Sequence, residues 1–176
     1  STGLTGVIPT WVQEGGHKAW INRMKDPEVR PRLLADIRKE LSEQPPEGIL
    51  MVGFKTSNMS KKYLAKTVAE AAKMRGQSPE ETIIDMVIED DNRIQCIYFS
   101  MSDENIAKKM QIPWVSFCSD AGTYSDINNK FRTHPRAFGS FIRVLGKYSR
   151  DENLISLQEG IRRLSHLPAS NLNLKN

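Results

Sequence analysis

The strongest constraint on the fold is a set of three short apolar runs, "ILMVGF" at 49–54, "IQCIYFSM" at 94–101 and "WVSFC" at 114–118. Each has the length of a strand, and none shows the sustained alternation of a strand that keeps one face in water. Runs of this kind are expected to be covered on both faces, as strands are in parallel sheets layered with helices.

The intervening segments supply the helices. Ala19, Trp20, Ile21 and Met24 recur at helical spacing before Asp26. Pro27 suits the first turn of a second helix reaching about Leu41, with Val29, Leu33, Leu34 and Ile37 on one side. "QPPEG" at 44–48 breaks the pattern. One helix is expected from Ser60 through Met74, ended by Gly76 in a left-handed cap. Ser78 and Glu81 form a capping box with Pro79 at the first helical position, opening a helix that "EDDN" at 89–92 closes. Ser102 caps a helix to about Met110, and two more are expected at about 135–149 and 156–165, after an irregular polar loop to Thr133. Strand and helix alternate, the rhythm of parallel βα units in an α/β fold.

A chain of 176 residues is long enough for one domain, and a globule of that size buries roughly 70% of its unfolded surface. With 39% hydrophobic and 26% charged residues, the composition is that of a globular protein, neither disordered nor membranous. No apolar run approaches the roughly 20 residues of a spanning helix. The excess of basic residues gives a net charge of only +4, and Asp or Glu interleaves every basic stretch, so solvated helix faces are expected rather than a nucleic-acid surface. The start, "STGLTGVIPTW", has no initiator Met and no leader pattern, and is expected to be a cut inside a longer cytoplasmic protein. Cys96 and Cys118 both fall in expected strands without a CxxC spacing, and read as buried thiols.

The third run ends in Ser119, Asp120, Ala121 and Gly122. In parallel α/β folds ligands gather at the carboxyl ends of strands, so Asp120 stands where such enzymes keep their chemistry. The competing reading is a turn in which Asp120 caps the backbone near Gly122.

Further pieces follow in order: His134-Pro135-Arg136, Phe138-Gly139, Leu145-Gly146-Lys147-Tyr148 and Leu167-Pro168-Ala169. Together with Ser119-Asp120 and the N-terminal "PTWVQEGG" at 9–16, this pattern resembles the N-acyl-D-amino-acid deacylases, the D-aminoacylase branch of the amidohydrolase superfamily. The resemblance implies the C-terminal portion of a TIM-type (β/α)8 barrel with a helical insertion before the last strand. Residues 1–10 would then end a barrel strand, 11–92 form a mostly helical insertion over the active site, and 93–176 supply the last strand and closing helices.

The reaction implied is hydrolysis of the amide of N-acyl-D-amino acids by a zinc-activated water. Asp120 matches the family's acid/base, a carboxylate that takes a proton from the metal-bound water and returns it to the leaving amine. Tyr98 and Met101 match positions lining the pocket for the substrate side chain, although ordinary core packing would place the same residue types there. An arginine of the insertion contacts the substrate carboxylate in the family, a task suited to a planar guanidinium. Arg23 and Arg30 compete for that match, and Arg23 is favoured. Cys118 departs from the family's usual glycine.

Zinc generally takes three or more protein ligands, whereas the chain has only His17, His134 and His166, none at an expected strand end. No metal ligand is therefore assigned, and the zinc of the full-length enzyme is expected to lie outside this segment, which alone should be inactive. His134 is expected to orient the loop after Asp120. The expected partners are a small N-acyl-D-amino acid and the rest of the same barrel, with no nucleic acid and no membrane. Unpaired strand edges and apolar helix faces make self-association of the segment expected. The alternative function is a non-enzymatic helical interaction or regulatory module, suggested by the missing ligands and the helix-rich region at 15–90.

Overall fold

The computed structural model describes residues 2–122 and 134–174. The chain divides into two compact units, a first reaching Ser100 and a second beginning at Met101.

In the first unit, β1 (Thr2–Gly3) leads through a 3-10 turn at Leu4–Val7 into α1 (Thr10–Gln13), α2 (His17–Lys25) and α3 (Arg30–Glu43). After a turn at Pro46–Gly48 come β2 (Ile49–Gly53), α4 (Ser57–Tyr63), α5 (Val68–Arg75), α6 (Pro79–Asp90) and β3 (Gln95–Tyr98). The strands form a sheet of order β1-β3-β2. Both pairings are antiparallel, with Thr2 opposite Cys96 and Met51 opposite Cys96 on its other side. The parallel pairing expected from the apolar runs is not what these strands adopt. Helices cover the sheet whichever way its strands run, so an unbroken apolar run reports burial and says nothing of direction.

The core of this unit gathers Leu4, Val12, Trp20, Met24, Leu33 and Ile37 from the first half with Ile49, Met51, Tyr63, Ile83, Ile84, Val87 and Ile94 from the second. The capping box of Ser78 and Glu81 is present, and Gly76 ends α5 at φ 64° in the left-handed region. Two helix expectations need correction. Pro27 lies outside α3, because the Asp26 carboxylate accepts the Glu28 N–H in a turn, and Pro31 is the proline that enters the first helical turn. The single helix expected from Ser60 to Met74 is two helices. Thr67 and Glu70 form a second capping box that starts α5 afresh, and Ala65 turns left-handed at φ 61°. That break lets Ala65 N–H and Lys66 C=O pair with Met51 across 2.9 and 3.0 Å, so bonding to β2 outweighs helical continuity.

The second unit comprises α7 (Asp103–Met110), an irregular segment over 112–120 that opens with a turn, and α8 (Arg136–Arg143), which continues as a π-helical stretch at Val144–Asp151. It ends in α9 (Leu157–Leu164) and α10 (His166–Asn171). Met110, Val144, Tyr148 and Ile155 form its core, with Ile106, Phe117, Leu154 and Leu164 packed against them. Gly160 lets α9 lie close to the π-helical stretch, since a Cβ there would stand 3.1 Å from Leu145 Cδ2. His166 opens α10 instead of closing the preceding helix. Pro168 has no N–H to give to Leu164 C=O, so the helical ladder stops before it.

The strand expected at 114–118 is not formed: Trp114 lies in a turn closed by the Val115 N–H on Ile112 C=O at 3.2 Å, and 115–118 are irregular and belong to none of the described ladders. The stretch is not buried on both faces either: Trp114 is 74% exposed and Cys118 is exposed, while Val115 and Phe117 are half-buried. The polar loop expected to reach Thr133 lies largely outside the described residues.

Candidate active site

Asp120 ends the irregular 112–120 segment at φ 49°, a left-handed conformation that Asp tolerates better than most residues. The adjoining turn is closed by the Ser119 hydroxyl, whose Oγ accepts the Ala121 N–H at 3.3 Å. The Asp120 side chain is 79% exposed, and its Oδ2 lies 2.8 Å from Arg136 Nη1. Arg136 is the first residue of α8, and the triplet that carries it builds the contact. His134 Nδ1 accepts the Arg136 N–H at 3.1 Å, satisfying one donor at the start of α8. Burial, helped by the Arg136 charge, pulls the His134 imidazole below its ordinary pKa. The ring therefore stays neutral near pH 7, the form in which a nitrogen can accept.

Beside this pair, α7, the 112–120 segment and α8 line a cleft of about 920 Å3. Ile106, Met110, Phe117, Val144 and Tyr148 make its apolar wall, and its charged lining residues, Lys109, Arg136 and Arg143, are all cationic. Arg143 Nε donates to Tyr148 Oη at 3.3 Å, which fixes its guanidinium against the wall. Met101 lies on the same cleft and is 79% exposed. An apolar wall edged by cations suits a ligand with an apolar body and a carboxylate.

The other two expected site residues are in the first unit. Tyr98 donates its hydroxyl to Gly3 C=O at 2.9 Å and packs against the core, and burial drives its phenol pKa up. Arg23 Nη1 donates to the carbonyls of Val12, at 2.8 Å, and Glu14, so it ties α2 to the end of α1. Its competitor Arg30 is paired to Asp85 at 2.8 Å.

Arg136, the last residue of the His134-Pro135-Arg136 triplet, is not among the site residues expected from the sequence. The signal available was the basic residue at a helix start beside a motif that ends in a carboxylate.

Zinc was tested against the residues present. Among the described residues no three of His, Cys, Asp and Glu converge on one point. His17 Nε2 is bound to Asp91 Oδ1 at 2.9 Å, His134 is engaged by the α8 backbone, and His166 lies near Ser170. These residues do not make a zinc site.

No family model matches the chain. It is 34% identical over 73 residues to N-acyl-D-glutamate deacylase of Alcaligenes xylosoxydans xylosoxydans, covering 42% of this chain and 14% of that protein. It is 28% identical over 105 residues to D-aminoacylase of the same organism, covering 60% of this chain and 20% of the relative. The chain thus spans a fifth or less of the curated relatives it matches. Among solved structures, a D-aminoacylase described for its binuclear metal centre superposes with a TM-score of 0.59 at 24% identity, over 73% of this chain and 25% of that one. N-acyl-D-glutamate deacylase of Bordetella bronchiseptica, solved with zinc and a phosphonate mimic of the tetrahedral intermediate, gives 0.57 at 23% identity, over 81% and 32%. The resemblance to the D-aminoacylase branch read from the sequence motifs is borne out by these relatives, and the fold is similar to part of these solved structures.

Proposed function

We propose that this chain works as the C-terminal part of the catalytic barrel of an N-acyl-D-amino-acid deacylase. The metal would be held by residues supplied from elsewhere in the enzyme. In this reading 11–92 form the insertion over the site, and 93–176 supply the last strand and closing helices. Asp120 is the acid/base. Its carboxylate takes a proton from the water that attacks the amide carbon, then delivers that proton to the amine nitrogen as the C–N bond breaks. Met101 and Tyr98 line the side-chain pocket, and Arg23 meets the substrate carboxylate after releasing the carbonyls of Val12 and Glu14.

The observation that carries the reading is Asp120 itself. An exposed carboxylate ends the irregular 112–120 segment and is paired with Arg136 at 2.8 Å, in a chain 34% identical over 73 residues to a deacylase. A carboxylate that served only to cap a turn would be spent on backbone N–H groups, whereas the Ser119 hydroxyl accepts the Ala121 N–H of this turn.

The test is Asp120→Asn in the complete enzyme chain, assayed by release of free D-amino acid from N-acetyl-D-glutamate and other N-acetyl-D-amino acids. Turnover should fall by about 10²–10⁴-fold with metal content unchanged. Turnover within threefold of the parent would refute the assignment and favour the non-enzymatic module.

A further inference from the structure

The irregular 112–120 segment is held by a buried cation on α9. Arg163 is 1% exposed, the largest fully buried side chain of the described residues. Its Nε donates to Val115 C=O at 2.6 Å and its Nη1 to Met110 C=O at the end of α7. The guanidinium carbon sits 4.4 Å from the centre of the Phe117 ring. The preceding residue repeats the pattern: Arg162 Nη2 donates to Pro113 C=O at 2.8 Å and is itself held by Glu159 at 2.7 Å. Pro113 lies in a turn closed by the Val115 N–H, which donates to Ile112 C=O at 3.2 Å. Two successive arginines thus hold that turn and the residue that leaves it toward Asp120.

We infer that Arg163 is a positioning residue for Asp120, acting through the irregular 112–120 segment that its guanidinium clamps. The inference rests on the acid/base reading of Asp120. From Phe117, the last residue touching the guanidinium, only Cys118 and Ser119 intervene before Asp120. Arg136 fixes the carboxylate from the far side at 2.8 Å. Freed from Arg163, the segment keeps the Arg136 anchor and loses the near one, and the carboxylate shifts relative to the bond it must protonate. Lysine cannot replace the clamp, because one ammonium does not span Val115 C=O and Met110 C=O in the fork geometry of a guanidinium.

The experiment compares Arg163→Met, Arg163→Lys and Arg163→Ala with Asp120→Asn in the complete enzyme, following kcat and KM for N-acetyl-D-glutamate. In parallel, amide exchange over 114–120 is measured in the 176-residue chain. Displacement of a reacting group by about 1 Å costs up to about a hundredfold in rate. Arg163→Met should therefore lower kcat by ten- to a hundredfold with KM within about twofold. Arg163→Lys should lie between it and the parent. Free guanidinium ion, but not ammonium, should restore part of the Arg163→Ala rate. Exchange over 114–120 should rise at least tenfold in Arg163→Met while that of α2 and α6 stays constant.

A parent-like kcat in folded Arg163→Met overturns the inference, as does a loss that guanidinium leaves unaltered. Should Arg163→Met fail to fold, Arg163→Lys decides in the same way, a parent-like kcat again overturning it. Failure of the underlying reading looks different. In that case Asp120→Asn itself keeps its turnover, and the exchange data still report whether Arg163 clamps the segment.

Discussion

Removing the Asp90 carboxylate tests whether the first unit depends on one buried acceptor. Asp90 is the last residue of α6 and is 0% exposed. Its Oδ2 accepts the Lys55 N–H at 2.8 Å, and its Oδ1 accepts the Thr56 N–H at 2.9 Å and the Thr56 hydroxyl at 2.8 Å. It thereby joins the end of α6 to the turn between β2 and α4. In Asp90→Ala two backbone donors lose their acceptor, at about 1–3 kcal/mol each where water cannot replace it. The hydroxyl can rotate to another partner and adds little. Because Lys55 is exposed and its N–H gains some water, the expected loss is about 2–4 kcal/mol, against a typical total of about 5–15 kcal/mol. Thr56→Val, which deletes only the hydroxyl, should lose about 1 kcal/mol or less. Urea unfolding followed by the fluorescence of Trp11 and Trp20 would show this as a lower midpoint at constant slope. A loss below about 0.5 kcal/mol for Asp90→Ala would mean that the turn satisfies itself, and the account of Asp90 as a staple would be wrong.

Three further outcomes follow from the same kind of geometry. Asp91 sits between Lys55 Nζ at 2.6 Å and His17 Nε2 at 2.9 Å, and those hydrogen bonds lower its pKa from 3.8 to about 2. A depressed carboxylate stabilises the fold above its unfolded pKa and loses that contribution as pH falls through the folded one. Circular dichroism between pH 4 and pH 2 should therefore show a smaller acid loss in Asp91→Asn, and superimposable profiles would contradict the assignment. With a maleimide, the exposed Cys118 should label in the native chain. Cys96, buried in β3 with its thiol pKa pushed up by desolvation, should label only on unfolding. On α8, Phe138 is 63% and Ile142 is 73% exposed, one helical turn apart. Replacing both with polar residues should shift the 176-residue chain toward the monomer in light scattering, and an unchanged mass would dissociate self-association from this face.

The helix ends were legible because their causes are local. A serine three residues before a glutamate, with proline between them, fixes the start of α6 from four neighbouring residues, and Gly76 fixes the end of α5 from one. Where the sequence misled, the cause lay far away along the chain. The helix expected through Ala65 is broken by bonds to Met51, and no pattern of spacing within 60–74 reports an acceptor in β2. Strand direction was illegible for a related reason. Apolar runs encode how deeply a strand is covered, while the antiparallel pairing of β2 with β3 depends on the path of three intervening helices.

The candidate site divides along the same line. Asp120 could be singled out because its place after an apolar run and its motif are both written within a dozen residues. Arg163 could not, since "IRRLSH" reads as a basic, solvated stretch of helix, and a buried arginine is rare enough that exposure is the rational expectation. Its burial makes sense only once Met110 and Val115, 53 and 48 residues earlier, present their carbonyls to the guanidinium. Desolvation pulls the Arg163 pKa down, and one nitrogen, Nη2, has no partner among the described residues. A methionine would pack there without those penalties, so stability alone does not account for a cation at this position. The clamp on the segment that leads to Asp120 is what a guanidinium supplies and an apolar side chain does not.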